Sequence, residues 1–350
     1  MLLPTPSTSH VSYDNVYEPS EDSYLFLDTL SSGSETQWLQ SRFSAGSQRR
    51  HHAQQHHHGH QRQNGNRVPL LVELGPGSGV IVAFLTAHAR EVFGSDVLSL
   101  SIDVNWHACQ ATRTTVELAI AEGRGKGVAE SAASAAVSSS PSQQGPNSAT
   151  TSKASPAEGA ATATMTTSSS SSSSTYLTSM RGDLSSALKP HSVDVMVFNP
   201  PYVPTESVPS LSPATEPAIK PTFEESSHLL AQSYAGGLDG MEVTERMLSQ
   251  LPEALSARGV AYVLFCRGNR PEEVKRRIRS WETSELEGGD NGEEVEGGGG
   301  GDGDGDGDGG GRTRERMQEK KQWQWHAETV GESGKTAGWE KLEIVRIWRE

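Results

Sequence analysis

The tetrapeptide Asn199-Pro200-Pro201-Tyr202 directly follows a run of apolar residues, Val193–Phe198, with the sequence VDVMVF. Those four residue types at a strand end suit one demanding task, moving a methyl group from a sulfonium to a planar –NH2 group. The nitrogen of an amide or aromatic amine is a poor nucleophile because its lone pair is delocalised. It must be held in line with the incoming carbon, with both N–H groups directed elsewhere. Two acceptors are required: the carbonyl of the Asn199 side chain can take one N–H and the backbone carbonyl of Pro200 the other. Pro200 and Pro201 stiffen the loop and remove backbone donors that would compete, and Tyr202 can stack on the flat acceptor. The bland alternative is a rigid Pro-Pro turn closing a strand. Asn199, Pro200 and Tyr202 are the catalytic candidates, and Asn199 to Tyr202 the substrate-binding ones.

Upstream, Glu73-Leu74-Gly75-Pro76-Gly77-Ser78-Gly79 follows a short apolar segment and precedes an apolar, helix-like one. Glycines at alternate positions permit a tight turn and close approach of a ligand to the backbone. The spacing is G-x-G-x-G, which differs from the G-x-G-x-x-G of dinucleotide sites. Asp103 ends a second strand, LSLSID, where a carboxylate can accept hydrogen bonds from both hydroxyls of a ribose. It or Asn105 can equally cap the following helix. Asp183, in Arg181-Gly182-Asp183-Leu184, follows a third strand; an acid there can accept from an adenine amino group while Leu184 packs on the ring. Read alone, that segment is an ordinary turn.

Other patterns fail on context. Asp304-x-Asp306-x-Asp308-Gly309 with Glu315 matches the calcium-loop spacing, but a Gly/Asp run cannot supply the upstream helix, and Gly311 stands where an aliphatic residue packs. Gly334-Lys335-Thr336 resembles the end of a phosphate loop but lacks its first glycine, since position 329 is Thr. His51, His52, His56, His57, His58 and His60 sit in a low-complexity stretch that reads as solvated polypeptide rather than a metal site.

The elements that must position these groups alternate strand and helix. Strands are expected at 70–74, 97–102, 176–180, 193–198 and 259–266, with a final pair at 322–330 and 341–348. Helices are expected at 80–90, 106–120, 242–255 and 272–279. Such alternation gives a Rossmann-like α/β fold: a mainly parallel seven-stranded sheet, helices on both faces, and an antiparallel final strand. Ligands of such sheets lie beyond the carboxyl ends of the strands, where each motif above falls.

Composition sets three stretches apart: 44–66, rich in Gln, His, Arg and Ser; 123–174, rich in Ser, Ala, Thr and Gly; and 283–311, rich in Gly, Asp and Glu. None offers enough apolar side chain to offset the entropy of ordering. They read as disordered insertions in one domain of about 240 residues spanning the rest of the sequence. The net charge of −14 is largely local. Between Trp281 and Gly311 lie eleven acidic residues and no basic one, so the remainder carries −3 and no strong field. Two distant cysteines, Cys109 and Cys266, make no disulfide framework and suit a reducing compartment. The first residues lack a secretory pattern and the longest apolar run, Val260–Cys266, is too short to span a bilayer. A cytoplasmic protein is expected, with the nucleus as a second location and no membrane partner.

Taken in order, these motifs resemble the HemK-like class I methyltransferases, and within them the short eukaryotic and archaeal form without an N-terminal helical domain. The resemblance rests on Val16-Tyr17-Glu18-Pro19-Ser20-Glu21-Asp22-Ser23, Glu73–Gly79, Asp103, Asp183-Leu184, Phe198–Tyr202 and Ala235-Gly236-Gly237-Leu238-Asp239-Gly240. It covers essentially everything outside the three insertions. It implies S-adenosylmethionine as cofactor, held by Ser23, Glu73, Gly75, Gly77, Asp103, Asp183, Leu184 and Asn199, with no metal. It implies the glutamine of a Gly-Gly-Gln motif in the eukaryotic class I peptide release factor as substrate, and a small zinc-binding activator subunit, paired through a strand, as partner. Ser23 stands where the family often has Thr, Pro76 where a smaller residue is usual, and the stretch from Tyr202 to Tyr234 is longer and richer in proline. The main competing activity is methylation of an adenine amino group in nucleic acid, with lysine or small-molecule acceptors as further alternatives. DNA fits poorly as a partner: Arg276, Arg277 and Arg279 form the compact basic cluster, and no target-recognition domain is visible.

Overall fold

The computed structural model describes residues 3–43, 67–137, 174–211, 221–281, 283–285, 321–334 and 341–350. The histidine-rich stretch, the calcium-loop pattern and most of the three compositional insertions lie outside them. The described elements in sequence order are α1 (Glu21–Leu30), α2 (Gly33–Phe43), β1 (Leu70–Leu74), α3 (Val80–Ala87), α4 (Ala89–Phe93), β2 (Leu98–Asp103) and α5 (Trp106–Val137). They continue with β3 (Thr175–Arg181), β4 (Val193–Phe198), α6 (Phe223–Tyr234), α7 (Glu242–Ala254), β5 (Leu255–Cys266) and α8 (Pro271–Arg279). The last are β6 (Thr283–Glu285), β7 (Lys321–Trp323), β8 (Trp325–Glu332) and β9 (Leu342–Arg349).

Seven strands form one sheet in the order β3-β2-β1-β4-β5-β9-β8. The first five pair in parallel, whereas β9 runs antiparallel to β5 and to β8. The last two strands in sequence, β8 and β9, thus pair antiparallel with each other, and β9 inserts between β5 and β8. The order reverses at β1, whose neighbours are β2 and β4. Crevices of doubly wound sheets open at that point.

The central strands read as continuous apolar runs because both faces are covered. Every residue of β4 is buried, including Asp194. That carboxylate is tolerated because it accepts from Leu70 N (3.0 Å), Ser256 Oγ (2.7 Å) and Arg258 Nε (3.0 Å). The same bonds explain why β5 begins at Leu255 rather than Gly259: the polar Ser256 and Arg258 have a buried partner on the neighbouring strand.

The N-terminal helices carry a weak sequence signal and are held by polar anchors. Glu35 of α2, buried, accepts from Tyr262 Oη of β5 (2.9 Å) and from Arg346 Nη1 of β9 (2.8 and 3.0 Å). A buried acid of this kind must be fully paired, and this one is. The expected single helix over 80–90 is two helices: His88 leaves the helical region at φ −110 and ψ 28, its ring 3.1 Å from the Pro4 carbonyl oxygen. Helix α5 runs past Ile120 to Val137, into the stretch that composition assigns to an insertion. Alanines and glutamate at 128–137 favour helix, and that local propensity explains the extension. Likewise β6 occupies the start of the Gly/Asp/Glu-rich stretch and pairs with β7. Among the described residues, no helix is long and apolar enough to cross a membrane.

Candidate functional site

One cleft lies over the carboxyl ends of β1, β2, β3 and β4. Ser23, Glu73, Gly75, Gly77, Asp103, Asp183, Leu184, Asn199, Pro200 and Pro201 all line it. The structure thus gathers every candidate named from sequence except Tyr202. The Tyr202 ring is instead partly buried against the apolar cluster of Phe26, Leu264 and Leu342, so it does not wall the cleft.

The glycine loop takes the shape its sequence requires. Gly75, Gly77 and Gly79 adopt φ of +60, +55 and +81, a region that L side chains rarely enter. A Cβ on Gly79 would lie 2.6 Å from the Thr112 Cα, so this residue lets α3 and α5 pack together. At Gly77 a Cβ would meet nothing within 4 Å, and at Gly75 only the Phe198 ring at 3.9 Å. Those two positions leave open backbone facing the cleft.

Two buried carboxylates flank the loop. Glu73 Oε2 accepts the Val82 amide of α3 at 2.8 Å, so it caps that helix as well as lining the cleft. Burial pushes its carboxyl well above the usual range; the Val82 N–H opposes this and the Asp103 charge adds to it. Asp103 Oδ2 accepts from Gly77 N at 3.2 Å and Oδ1 from Asn105 N at 2.8 Å. Asp103 thus braces the entry to α5 and also presents a carboxylate to the cleft. Burial raises its pKa to about 6, against the pull of the backbone donors of Asn105 and Gly77.

On the third wall, Asp183 is ion-paired to Arg246 of α7, itself a cleft residue and one the sequence did not single out. Leu184 adopts φ +52, strained for a branched side chain, and is buried beside Asp183. Strain held at a cleft wall is a common mark of a ligand contact.

Asn199 ends β4. Its Nδ2 donates to Asp22 Oδ2 at 3.0 Å, which fixes which end of the amide is which. Its Oδ1 is buried and has no hydrogen-bond partner among the described residues. A buried acceptor without a partner is costly, and in a ligand cleft it marks where a donor is to sit. The following loop is clamped by the glycine segment after α6. Val203 N donates to Tyr234 O (3.0 Å), Gly236 N to Val203 O (2.8 Å) and Thr205 N to Gly237 O (3.0 Å). A Cβ on Gly236 would lie 2.4 Å from the Pro201 carbonyl oxygen, and one on Gly240 2.1 Å from that of Tyr202. Asn269, also missed in the sequence, donates to the carbonyls of Tyr202 (3.2 Å) and Asp239 (2.9 Å) and holds the two segments together.

No family model matches the protein. The human protein named methyltransferase HEMK2 is 24% identical over 282 residues, covering 79% of this sequence and 85% of that protein. A Schizosaccharomyces pombe protein named eRF1 methyltransferase catalytic subunit mtq2 is 23% identical over 276 residues, 77% of this sequence and 81% of that one. A Bordetella pertussis ribosomal protein uL3 glutamine methyltransferase is 39% identical over a shorter span of 84 residues, 24% of each protein. With the sheet order and the cleft, these relatives define the class: the protein is a class I methyltransferase. Within that class it is similar to the proteins named methyltransferase HEMK2 and eRF1 methyltransferase catalytic subunit.

Proposed function

We propose that this enzyme uses S-adenosylmethionine to methylate the side-chain amide nitrogen of the glutamine in the Gly-Gly-Gln motif of the eukaryotic class I peptide release factor. The observation that carries the reading is the Asn199 carbonyl oxygen, buried at the cleft with its own –NH2 already committed to Asp22. Such a group lacks a donor and supplies none, which suits a neutral –NH2 acceptor. The relatives named for release-factor and ribosomal-protein glutamine point to the same acceptor.

S-adenosylmethionine supplies an activated methyl on a sulfonium. The residues present fit it: backbone open at Gly75 and Gly77, a carboxylate on Asp103 for ribose hydroxyls, and Asp183 with Leu184 for the adenine. Ser23 and Glu73 complete that wall. On the acceptor side, Asn199 Oδ1 holds one amide proton and the Pro200 carbonyl the other. Both bonds strengthen as positive charge develops on the nitrogen, which is the condition for lowering the barrier rather than only binding substrate. Pro201 has no N–H to compete. In this reading Tyr202 acts from beside the cleft, through its carbonyl held by Asn269.

The small zinc-binding activator subunit is read onto the edge of β3. Support comes from β3 ending the seven-stranded sheet, from Leu177 being half exposed, and from a shallow groove that Leu177, Tyr176 and Ile120 line between β3 and α5. An exposed edge with apolar side chains is a template for strand pairing. The adenine alternative finds less support. Arg277 of the basic cluster is engaged by Glu245 at 2.6 Å and Arg279 by the Ala327 carbonyl, so the cluster is not an open phosphate surface. A release-factor substrate supports a cytoplasmic location, with the nucleus as the second expected from the sequence.

The deciding experiment is transfer of labelled methyl to purified release factor and to an adenine-containing oligonucleotide, with and without the activator. Labelling confined to the Gly-Gly-Gln glutamine is the expected result; labelling of the oligonucleotide alone rejects the reading.

A further inference from the structure

The Asn199 carbonyl is useful only if the amide keeps one of its two orientations. A 180° rotation about its last bond would exchange Oδ1 and Nδ2 and offer the acceptor a donor instead. Nothing in Asn-Pro-Pro-Tyr itself prevents that rotation. The restraint comes from Asp22, 177 residues away in sequence, at the start of α1.

Asp22 is buried, 2% exposed, and one of its oxygens is fully employed. Oδ1 accepts from Ser23 N at 2.7 Å, Ser20 Oγ at 2.9 Å and Ser23 Oγ at 3.3 Å. These donors pin the carboxylate, so Oδ2 faces Asn199 Nδ2 at 3.0 Å and cannot turn away. With Asn199 rotated, two acceptor oxygens would oppose each other at that distance. A hydrogen bond to a carboxylate is also stronger than one between neutral groups. It polarises the donor amide, so the carbonyl at its other end carries more negative charge and accepts more strongly.

We propose that Asp22 is a positioning residue for the methyl acceptor: it locks the Asn199 amide with its carbonyl towards the substrate –NH2 and strengthens that carbonyl as an acceptor. The assignment rests on the glutamine-methylation reading and deepens it. It also gives the N-terminal Glu18-Pro19-Ser20-Glu21-Asp22-Ser23 segment a task in acceptor binding, beyond a cofactor contact at Ser23.

The test uses the full-length protein coexpressed with the proposed activator subunit, with the Gly-Gly-Gln peptide of the release factor as acceptor. Asp22→Ala, Asp22→Asn, Asn199→Ala and the double variant Asp22→Ala/Asn199→Ala are compared for kcat, cofactor Kd and Tm. Asp22→Ala should lower kcat by ~10- to 100-fold, the loss typical of a misplaced catalytic contact. Cofactor Kd should change little. Asp22→Asn keeps an acceptor oxygen without the charge and should recover part of the rate. The double variant should be no slower than Asn199→Ala alone, because Asp22 acts through Asn199. Multiplicative losses in the double variant, or a fall in kcat matched by losses of cofactor affinity and Tm, would overturn the assignment. The side-chain amide resonance of Asn199, identified by its absence in Asn199→Ala, should move in Asp22→Asn; an unchanged resonance also overturns it. If the wild-type protein binds cofactor but transfers nothing to the peptide, the glutamine reading fails instead, and the resonance alone decides the Asp22 assignment.

Discussion

The Asp103 carboxylate, at the end of β2, accepts the backbone N–H of Gly77 in the loop after β1, with a donor–acceptor distance of 3.2 Å. The acid and the glycine turn are thus one device, and the loop's shape depends on the group proposed to hold the ribose. Asp103→Ala is expected to weaken S-adenosylmethionine binding by about 1.5–3 kcal/mol, the usual loss for hydrogen bonds to a charged group. Calorimetry reads this directly, and an unchanged Kd would remove Asp103 from the site.

The same residue sets a pH dependence. Burial raises the Asp103 pKa to about 6 from an ordinary 3.8, so the unliganded protein takes up this proton as pH falls through 6. Only the ionised form accepts from two hydroxyls. Cofactor affinity should therefore be flat above pH 6 and fall towards tenfold per pH unit below it, with one proton released on binding. For the unliganded fold the sign is opposite: a raised carboxylate pKa contributes stability below the unfolded value of 3.8 that is lost as pH rises through 6. Isothermal titration in buffers of different ionisation enthalpy counts the proton. Affinity independent of pH between 5 and 7 would contradict the assignment.

Gly240 tests the clamp on the acceptor loop. It has φ +68, and a Cβ there would lie 2.1 Å from the Tyr202 carbonyl oxygen and 2.8 Å from Asn269 Nδ2. Gly240→Ala should cost stability by about 1–3 kcal/mol through backbone strain. It should also slow transfer more than it weakens cofactor binding, because the displaced backbone belongs to Asn199–Tyr202. Thermal melting and a kcat against Kd comparison check both parts.

Much of the site was legible because strand ends carry it. The runs LLVEL and VDVMVF are buried on both faces, and their boundaries follow from composition alone. The groups immediately after them then had to face the crevice. What stayed hidden was held by polar contacts between distant segments, which leave no periodicity. Glu35, Asp22 and Asn269 are each buried by partners far along the sequence. Helix α6 buries no residue, so it had no apolar stripe to find; its readable signal was the capping box from Thr222 to Glu225. Tyr202 was placed by motif logic on the acceptor; its ring is partly buried against the apolar cluster that includes Phe26 and Leu264.

The β3 edge bears on the partner. Leu177, 52% exposed, should be at the centre of the proposed activator interface. Leu177→Lys places a charge on that edge, a change that commonly blocks strand addition. It should reduce co-purification of the activator and the yield of active enzyme on coexpression, while a surface change on α8 such as Arg276→Ala should not. Equal recovery of the activator with both variants would move the interface elsewhere.

The acceptor itself is tested at Asn199. Its carbonyl oxygen is buried without a partner among the described residues, and its –NH2 is spent on Asp22. Asn199→Ala removes a preorganised acceptor whose hydrogen bond strengthens in the transition state, and losing one such contact typically costs about 10²–10³ in rate. Turnover on the release factor should therefore collapse while most of the cofactor affinity remains, with a modest loss allowed because Asn199 also lines the cofactor wall. Replacing the acceptor glutamine by asparagine should stop transfer as well. Its shorter side chain withdraws the nitrogen by about one C–C bond, and misplacement of about 1 Å can cost ~10²-fold. An oligonucleotide containing adenine should be a poor acceptor, and its binding should lack the steep salt dependence of proteins that neutralise many phosphates. Single-turnover assays of wild type and Asn199→Ala on both acceptors separate the cases. Loss of transfer to the release factor with cofactor affinity retained supports the Asn199 carbonyl as the acceptor's anchor. Full activity in Asn199→Ala would show that the amide proton is held elsewhere.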